Sequence, residues 1–139
     1  ESRCKGECGM IGYVTVGTND LERATQFYDA IAAELGVGRV MEWENGIAWG
    51  KPDGSGIAAM KPFDGNAASV GNGVMVAFNA KDEAQVRRVH ELALAHGGSD
   101  EGAPGERGGG FYAAYFRDPD GNKLNAFCMP GPAAEADNG

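Results

Sequence analysis

Apolar and polar positions alternate from Ile11 to Val16, with β-branched residues among them, and the pattern predicts a strand. The spacing then changes. Leu21, Ala24, Phe27, Tyr28, Ile31, Ala32 and Leu35 recur at helical intervals, so they share one face, and Gly36 stands where a helix stops. Thr18-Asn19-Asp20 supplies the N-cap, and Glu22 lies three residues after Asn19 in a capping-box pattern. Two short runs, about Arg39–Glu44 and Ile47–Gly50, flank Asn45-Gly46, a strong hairpin signal because both residues tolerate positive φ. Pro52-Asp53-Gly54 then turns the chain into a fourth strand at about Gly56–Lys61.

The same order returns after a connector at 63–72 rich in Gly, Asn, Ala and Ser. A strand runs from Gly73 to Phe78, and a helix from about Asp82 to His96 stops at Gly97-Gly98. Ser99–Gly110 reads as a loop with room for one short strand. Phe111–Arg117 and Lys123–Cys128 read as strands around the turn Asp118-Pro119-Asp120-Gly121. Tyr13/Met75, Asp20/Asp82 and Gly36/Gly98 share one offset of 62 (75 − 13), while Pro52/Pro119 and Gly54/Gly121 share another of 67 (119 − 52). An internal repeat of this kind means two similar units. The expected fold is therefore α+β: two tandem βαβββ modules with pseudo-two-fold symmetry, at about 10–63 and 73–129. Each forms a concave mixed sheet with its helix on the outer face.

A chain of 139 residues has room for one domain, here 10–129. Residues 1–9 read as a flexible extension, with Met10 the natural start, and 130–139 as a flexible tail rich in Pro, Ala, Gly and acid. The net charge of −8, with Lys and Arg scattered, excludes a nucleic-acid partner, which needs a clustered basic surface. No apolar run reaches the roughly 18 residues of a membrane span, so no membrane partner and a cytoplasmic location are expected. Three cysteines make no disulfide scaffold, and Cys4 and Cys8 lack the further ligands a metal site requires.

Strand parity then selects a candidate site. Ile11, Tyr13 and Thr15 share a face, as do Gly73, Met75 and Ala77; Gly56, Ala58 and Met60; and Lys123, Asn125 and Phe127. The lining would be mostly apolar, with a phenol, a hydroxyl and an amide as polar fixtures, which suits a flat or hydrophobic small molecule. Trp43 and Trp49 would wall one pocket by stacking. The alternative is that these side chains simply fill the sheet interiors. No nucleophile–base pair, phosphate loop or dinucleotide fingerprint is present, and no catalytic residue is assigned.

Ile11-Gly12-Tyr13-Val14-Thr15-Val16-Gly17-Thr18-Asn19-Asp20-Leu21-Glu22-Arg23-Ala24, running on to Phe27-Tyr28, resembles the opening of the vicinal oxygen chelate superfamily. That group includes glyoxalase I, bleomycin-resistance proteins, fosfomycin-resistance enzymes and extradiol dioxygenases. Lys61-Pro62-Phe63-Asp64-Gly65, Gly71-Asn72-Gly73 and Arg117-Asp118-Pro119-Asp120-Gly121-Asn122-Lys123 fit its small glyoxalase-like branch, so the resemblance spans about Met10 to Cys128. It implies that metal-using members place His, Gln or Glu on the first and fourth strands of each unit. Here those positions hold Tyr13, Ala58, Met75 and Asn125, a poor set for a divalent ion, which prefers imidazole or carboxylate. The expectation is a metal-independent protein with no cofactor. It would bind a small apolar or aromatic molecule through Tyr13, Thr15, Trp49, Ala58, Met60, Met75 and Asn125. The alternative is a glyoxalase-like lyase or isomerase with an atypical metal site. The family resemblance also implies a homodimer.

Overall fold

Two strand–helix–strand–strand–strand units succeed one another in a computed structural model that describes residues 9–129. The extension expected up to residue 9 thus lies, except for Gly9, outside the described residues, as does the tail at 130–139. The first unit contains β1 (Tyr13–Gly17), α1 (Leu21–Glu34), β2 (Gly38–Trp43), β3 (Gly46–Gly50) and β4 (Gly56–Met60). The second contains β5 (Val76–Asn79), α2 (Glu83–Ala95), β6 (Ser99–Glu106), β7 (Tyr112–Arg117) and β8 (Lys123–Cys128). Each forms an open four-stranded mixed sheet, ordered β1-β4-β3-β2 and β5-β8-β7-β6, in which the first and last strands of the unit pair in parallel. The registers place Thr15 opposite Ala58 and Ala77 opposite Asn125, so both repeat offsets hold in space.

The predicted helical stripe is the one buried. Ala24, Phe27, Tyr28, Ile31 and Ala32 of α1 pack on the first sheet, and Val86, Val89 and Ala93 of α2 pack on the second. The helices also pack on each other, whereas no strand of one sheet meets a strand of the other. One continuous core results, with the helices between the sheets. Burying a side chain such as Phe27 or Phe116 there contributes about 2–3 kcal/mol. The helix-free faces look outward.

Four local expectations need correction. The β2–β3 turn is Glu44-Asn45, because Trp43 pairs with Gly46 and neither Asn45 nor Gly46 takes positive φ. Gly46 is instead the floor beneath Trp43, since a Cβ there would lie 2.8 Å from the indole and 2.7 Å from Met60 Cβ. The α1 cap is Asp20 alone, accepting from the Arg23 N–H at 3.1 Å, while the Asn19 side chain exchanges two hydrogen bonds with the Ala68 backbone. Helix α2 ends one residue earlier than the repeat implies: Gly97, at φ +99°, follows the C-cap His96, so the counterpart of Gly36 is Gly97 and not Gly98. Last, Ser99–Glu106 is a full eight-residue strand rather than a loop. Its Gly, Pro and charge content hides it, and two register shifts against β7 show how the sheet accommodates them.

Polar contacts join the units at two places: Gln85 and Arg88 of α2 donate to Glu34 of α1, and a buried turn makes the second junction. The Tyr28 hydroxyl donates to Asp118 Oδ2 at 2.6 Å, and Asp118 also accepts from the Asp120 and Asn122 backbone N–H groups and from Asn122 Nδ2. Asp120 Oδ1 accepts from the Asn19 N–H, and Asn122 Nδ2 also donates to the Gly17 carbonyl. Burial, then the neighbouring Asp118 carboxylate, holds the Tyr28 phenol well above its ordinary pKa.

Candidate functional site

The outward faces carry most of the residues chosen by strand parity, but they divide them in two. On the first sheet, Tyr13 is 70% exposed, Thr15 lies beside Ala58, and Met60 is half-buried opposite Gly46. Ala58 is on the same face but is itself buried by its neighbours. Met41 and Trp43 extend this surface across β2, both exposed. On the second sheet, Asn125 is buried at 1% exposure between Ala77 and Tyr115, and Met75 lies exposed just before β5. The expected single lining is therefore two separate surfaces within one chain.

Trp49 belongs to neither surface. Its cross-strand partner is Ile57, so it points toward α1, is 2% exposed, and lies 5.2 Å from the Tyr28 ring. Its indole N–H donates to Asp29 Oδ1 at 2.8 Å, and Arg39 makes a two-pronged contact with the same carboxylate. The Arg39 hydrogen bonds, aided by the indole, hold Asp29 below the usual carboxylate range against the opposing effect of burial. Trp43 and Trp49 therefore cannot wall one pocket, because the two side chains lie on opposite faces of the first sheet, and Trp49 is a packing residue.

The second surface holds groups that parity could have found. Arg117, Tyr115 and Ala113 alternate with the core residues Phe116 and Ala114, and Lys123, Asn125 and Phe127 alternate with Leu124 and Ala126. Lys123 Nζ and the Arg107 guanidinium lie 5.6 and 5.4 Å from the centre of the Tyr115 ring. Phe111 and Phe127 stack at 5.5 Å. A cleft of about 410 Å³ opens at one end, between the 70–75 segment and the side chains of Arg117 and Lys123. Asn125 Oδ1 is buried without a hydrogen-bond partner. A second cleft, about 390 Å³, lies beside Thr18, Asn19, Asn45 and Lys61 under the connector. Arg107 stands just past β6 at the head of a glycine-rich segment, where the sequence suggests only a loop that could fold over a ligand.

The metal implied by the resemblance does not fit these residues. Tyr13 and Ala58 sit on one sheet and Met75 and Asn125 on the other, supplying a phenol, a methyl, a thioether and an amide. Among the described residues no three His, Cys, Asp or Glu side chains cluster as a ligand set. His90 is used elsewhere, with Nε2 2.9 Å from Asp100 Oδ1, and His96 Nδ1 contacts the Leu92 carbonyl on α2. No helix among the described residues is long and apolar enough to cross a membrane.

The sequence model of the Glyoxalase/Bleomycin resistance protein/Dioxygenase superfamily matches residues 10–126. Among solved structures, a glyoxalase/bleomycin resistance protein from Albidiferax ferrireducens is similar, with a TM-score of 0.82 and 36% identity over 88% of this chain and 100% of that one. A glyoxalase-related enzyme from Fulvimarina pelagi gives 0.71 at 23% identity, covering 88% and 90% of the two chains. Lactoylglutathione lyase from Agrobacterium tumefaciens gives 0.63 at 19% identity, covering 89% and 96%. The last two likenesses concern the fold alone. No curated protein sequence matches the chain.

Proposed function

Because this chain belongs to the Glyoxalase/Bleomycin resistance protein/Dioxygenase superfamily, we propose that it binds a small apolar or aromatic organic molecule against a helix-free sheet face, without a metal ion. The observation that carries the reading is the pair of outward faces and what stands on them. They keep large apolar side chains, Tyr13, Met41, Trp43 and Met75, in contact with water, which a folded chain does at a cost unless something covers them. At the positions where metal-using relatives hold a cation, the side chains are Tyr13, Ala58, Met75 and Asn125, which suit contact with an organic molecule.

The covering is shared between two chains. Since the two outward faces of one chain look away from each other, a homodimer would set the first sheet of one protomer against the second sheet of its partner. That arrangement encloses Tyr13, Thr15, Met60, Met75 and Asn125 in one cavity. A cytoplasmic location goes with the reading.

Thermal denaturation of the purified protein tests this directly. A flat aromatic compound present at about a hundred times its Kd raises the unfolding free energy by about 2.7 kcal/mol, a shift of several degrees. Micromolar Ni²⁺, Zn²⁺ or Mn²⁺ leaves the transition in place. Stabilisation by one of those ions, with stoichiometric metal in the protein, would refute the metal-independent reading in favour of a lyase or isomerase. Light scattering that finds only monomer would remove the shared cavity.

A further inference from the structure

We infer that the molecule taken up at the second sheet is an anion: a flat organic acid whose carboxylate or sulfonate lies between Lys123 and Arg107, and whose hydrogen-bond donor meets Asn125. The inference rests on the small-molecule reading above and narrows its ligand class.

Charge is the first argument. Acidic side chains outnumber basic ones by 20 to 12, yet three of the 12 gather on this one face. Arg117 is matched, lying 3.3 Å from Glu101. Arg107 donates only to the Ala103 carbonyl, at 2.7 Å, and neither it nor Lys123 forms an ion pair among the described residues. Both instead stand against the π cloud of Tyr115, a weak attraction beside a full ion pair. Two cations without ion-pair partners near one ring give this face a local excess of positive charge, which an acid group would offset.

Shape is the second. Ala77, Ala113, Gly102 and Gly105 occupy this face where larger residues would fill it. Gly102 is small for a visible reason: a Cβ there would sit 3.2 Å from Tyr115 Cδ2 and 3.3 Å from Arg107 Nη2. Its absence lets the guanidinium settle beside the phenol ring. The stacked pair Phe111 and Phe127 then offers a flat apolar wall one rung further along.

Asn125 is the third. Its buried amide oxygen has no donor, and a buried acceptor left unpaired is destabilising. It lies next to Tyr115 across the β7–β8 pair and two residues from Lys123, so an O–H or N–H on the ligand would satisfy it while the acid group reaches the cations. An uncharged hydrocarbon would leave all three features unused.

Two dyes separate the ideas, because they share a ring system and an N–H group and differ in one sulfonate. They are 8-anilinonaphthalene-1-sulfonate and N-phenyl-1-naphthylamine, followed by fluorescence titration of the full chain. Lys123→Gln and Arg107→Gln should each weaken the sulfonate about five- to tenfold and leave the neutral dye within about twofold. Raising the salt from about 20 to about 200 mM should weaken only the sulfonate. Lys61→Gln, at the other cleft, should alter neither. Asn125→Leu should weaken both dyes, since both carry the N–H; unchanged binding there removes the donor contact from the proposal. Equal losses for the two dyes, or none, would overturn the anionic assignment while leaving the small-molecule reading intact. If neither dye binds, that reading fails and this inference falls with it.

Discussion

Replacing Tyr28 by Phe isolates the most buried of the bonds that join the two units. The substitution keeps the ring, and with it the packing against Phe27 and Trp49 at 4.9 and 5.2 Å, and removes only the hydroxyl. That hydroxyl donates to a charged acceptor, Asp118 Oδ2, at 2.6 Å, and both residues are nearly inaccessible to water. Hydrogen bonds of this type contribute about 1.5–3 kcal/mol, the upper range applying when the acceptor is ionised. Asp118 retains three donors afterwards, so the carboxylate is not orphaned and the loss should stay inside that range. For a chain of this length 1 kcal/mol moves Tm by about 3–4 °C, so a fall of about 5–10 °C is expected. Asp118→Ala should cost at least twice as much, because it strips the acceptor from four donors at once. Urea denaturation of the two single variants and the double variant measures the coupling. A coupling below about 0.5 kcal/mol would refute the claim that this bond helps hold the units together.

The same bond gives a pH signature. The folded-state pKa of Tyr28 is raised, so its contribution is fully present below the ordinary value of 10.0 and is lost as the pH climbs toward the raised one. Wild-type protein should therefore lose more stability than Tyr28→Phe above about pH 10. Equal alkaline losses in both proteins would contradict the assignment.

The remaining predictions concern four other positions. Gly98→Ala should destabilise by several kcal/mol, because its Cβ would lie 2.5 Å from the Arg117 carbonyl oxygen and 2.9 Å from Phe27 Cε1; Gly12→Ala, with nothing within 4 Å, should be nearly neutral by thermal melt. Asn125→Leu should raise Tm in the ligand-free protein by replacing an unpartnered amide with a hydrocarbon, and a fall would mean that the amide is satisfied in solution. Asp29→Asn should flatten the acid limb of stability below the ordinary carboxylate pKa, where wild-type loses the Arg39 and Trp49 contacts. The effect should be only a few tenths of a kcal/mol because the pair is half in water.

The fold was legible because the repeat is written twice with the same punctuation. Asp20 and Asp82 cap the two helices in the same way, each accepting from the N–H three residues on, and the helical stripes between them are the buried ones. Periodicity failed where residue type and position disagree. Asn45-Gly46 carries a hairpin signature, but Trp43 needs a bare glycine beneath its ring, and that demand moves the turn back one residue. Strand β6 contains three glycines and prolines among its eight residues, so nothing in its own composition marks it; its pairing with β7 does. The site was half legible. Alternation correctly put Tyr13, Thr15, Met60 and Asn125 on helix-free faces. It could not say that those faces look apart, because that depends on α1 meeting α2, a contact between distant segments.

The departures from symmetry distinguish the two sheet faces. Under the 62-residue offset Tyr28 corresponds to His90, and under the 67-residue offset Asp118 corresponds to Lys51. His90 turns to Asp100 inside its own unit, while Lys51 heads a turn that stays exposed throughout. This buried clamp between the units therefore exists once. It grips the second unit at Asp118–Asn122, which leads directly into Lys123 and β8. Arg117 Nη1 donates to the Gly121 carbonyl at 3.0 Å, binding the end of β7 to the same turn. The charged end of the second face is thus held by the buried bonds that unite the chain, and a rigid support of that kind lets a few side chains keep a fixed geometry. The same turn also holds the Gly17 end of β1, but the first face presents mainly exposed apolar side chains. On the proposed reading, the second face would orient the ligand and the first would cover it.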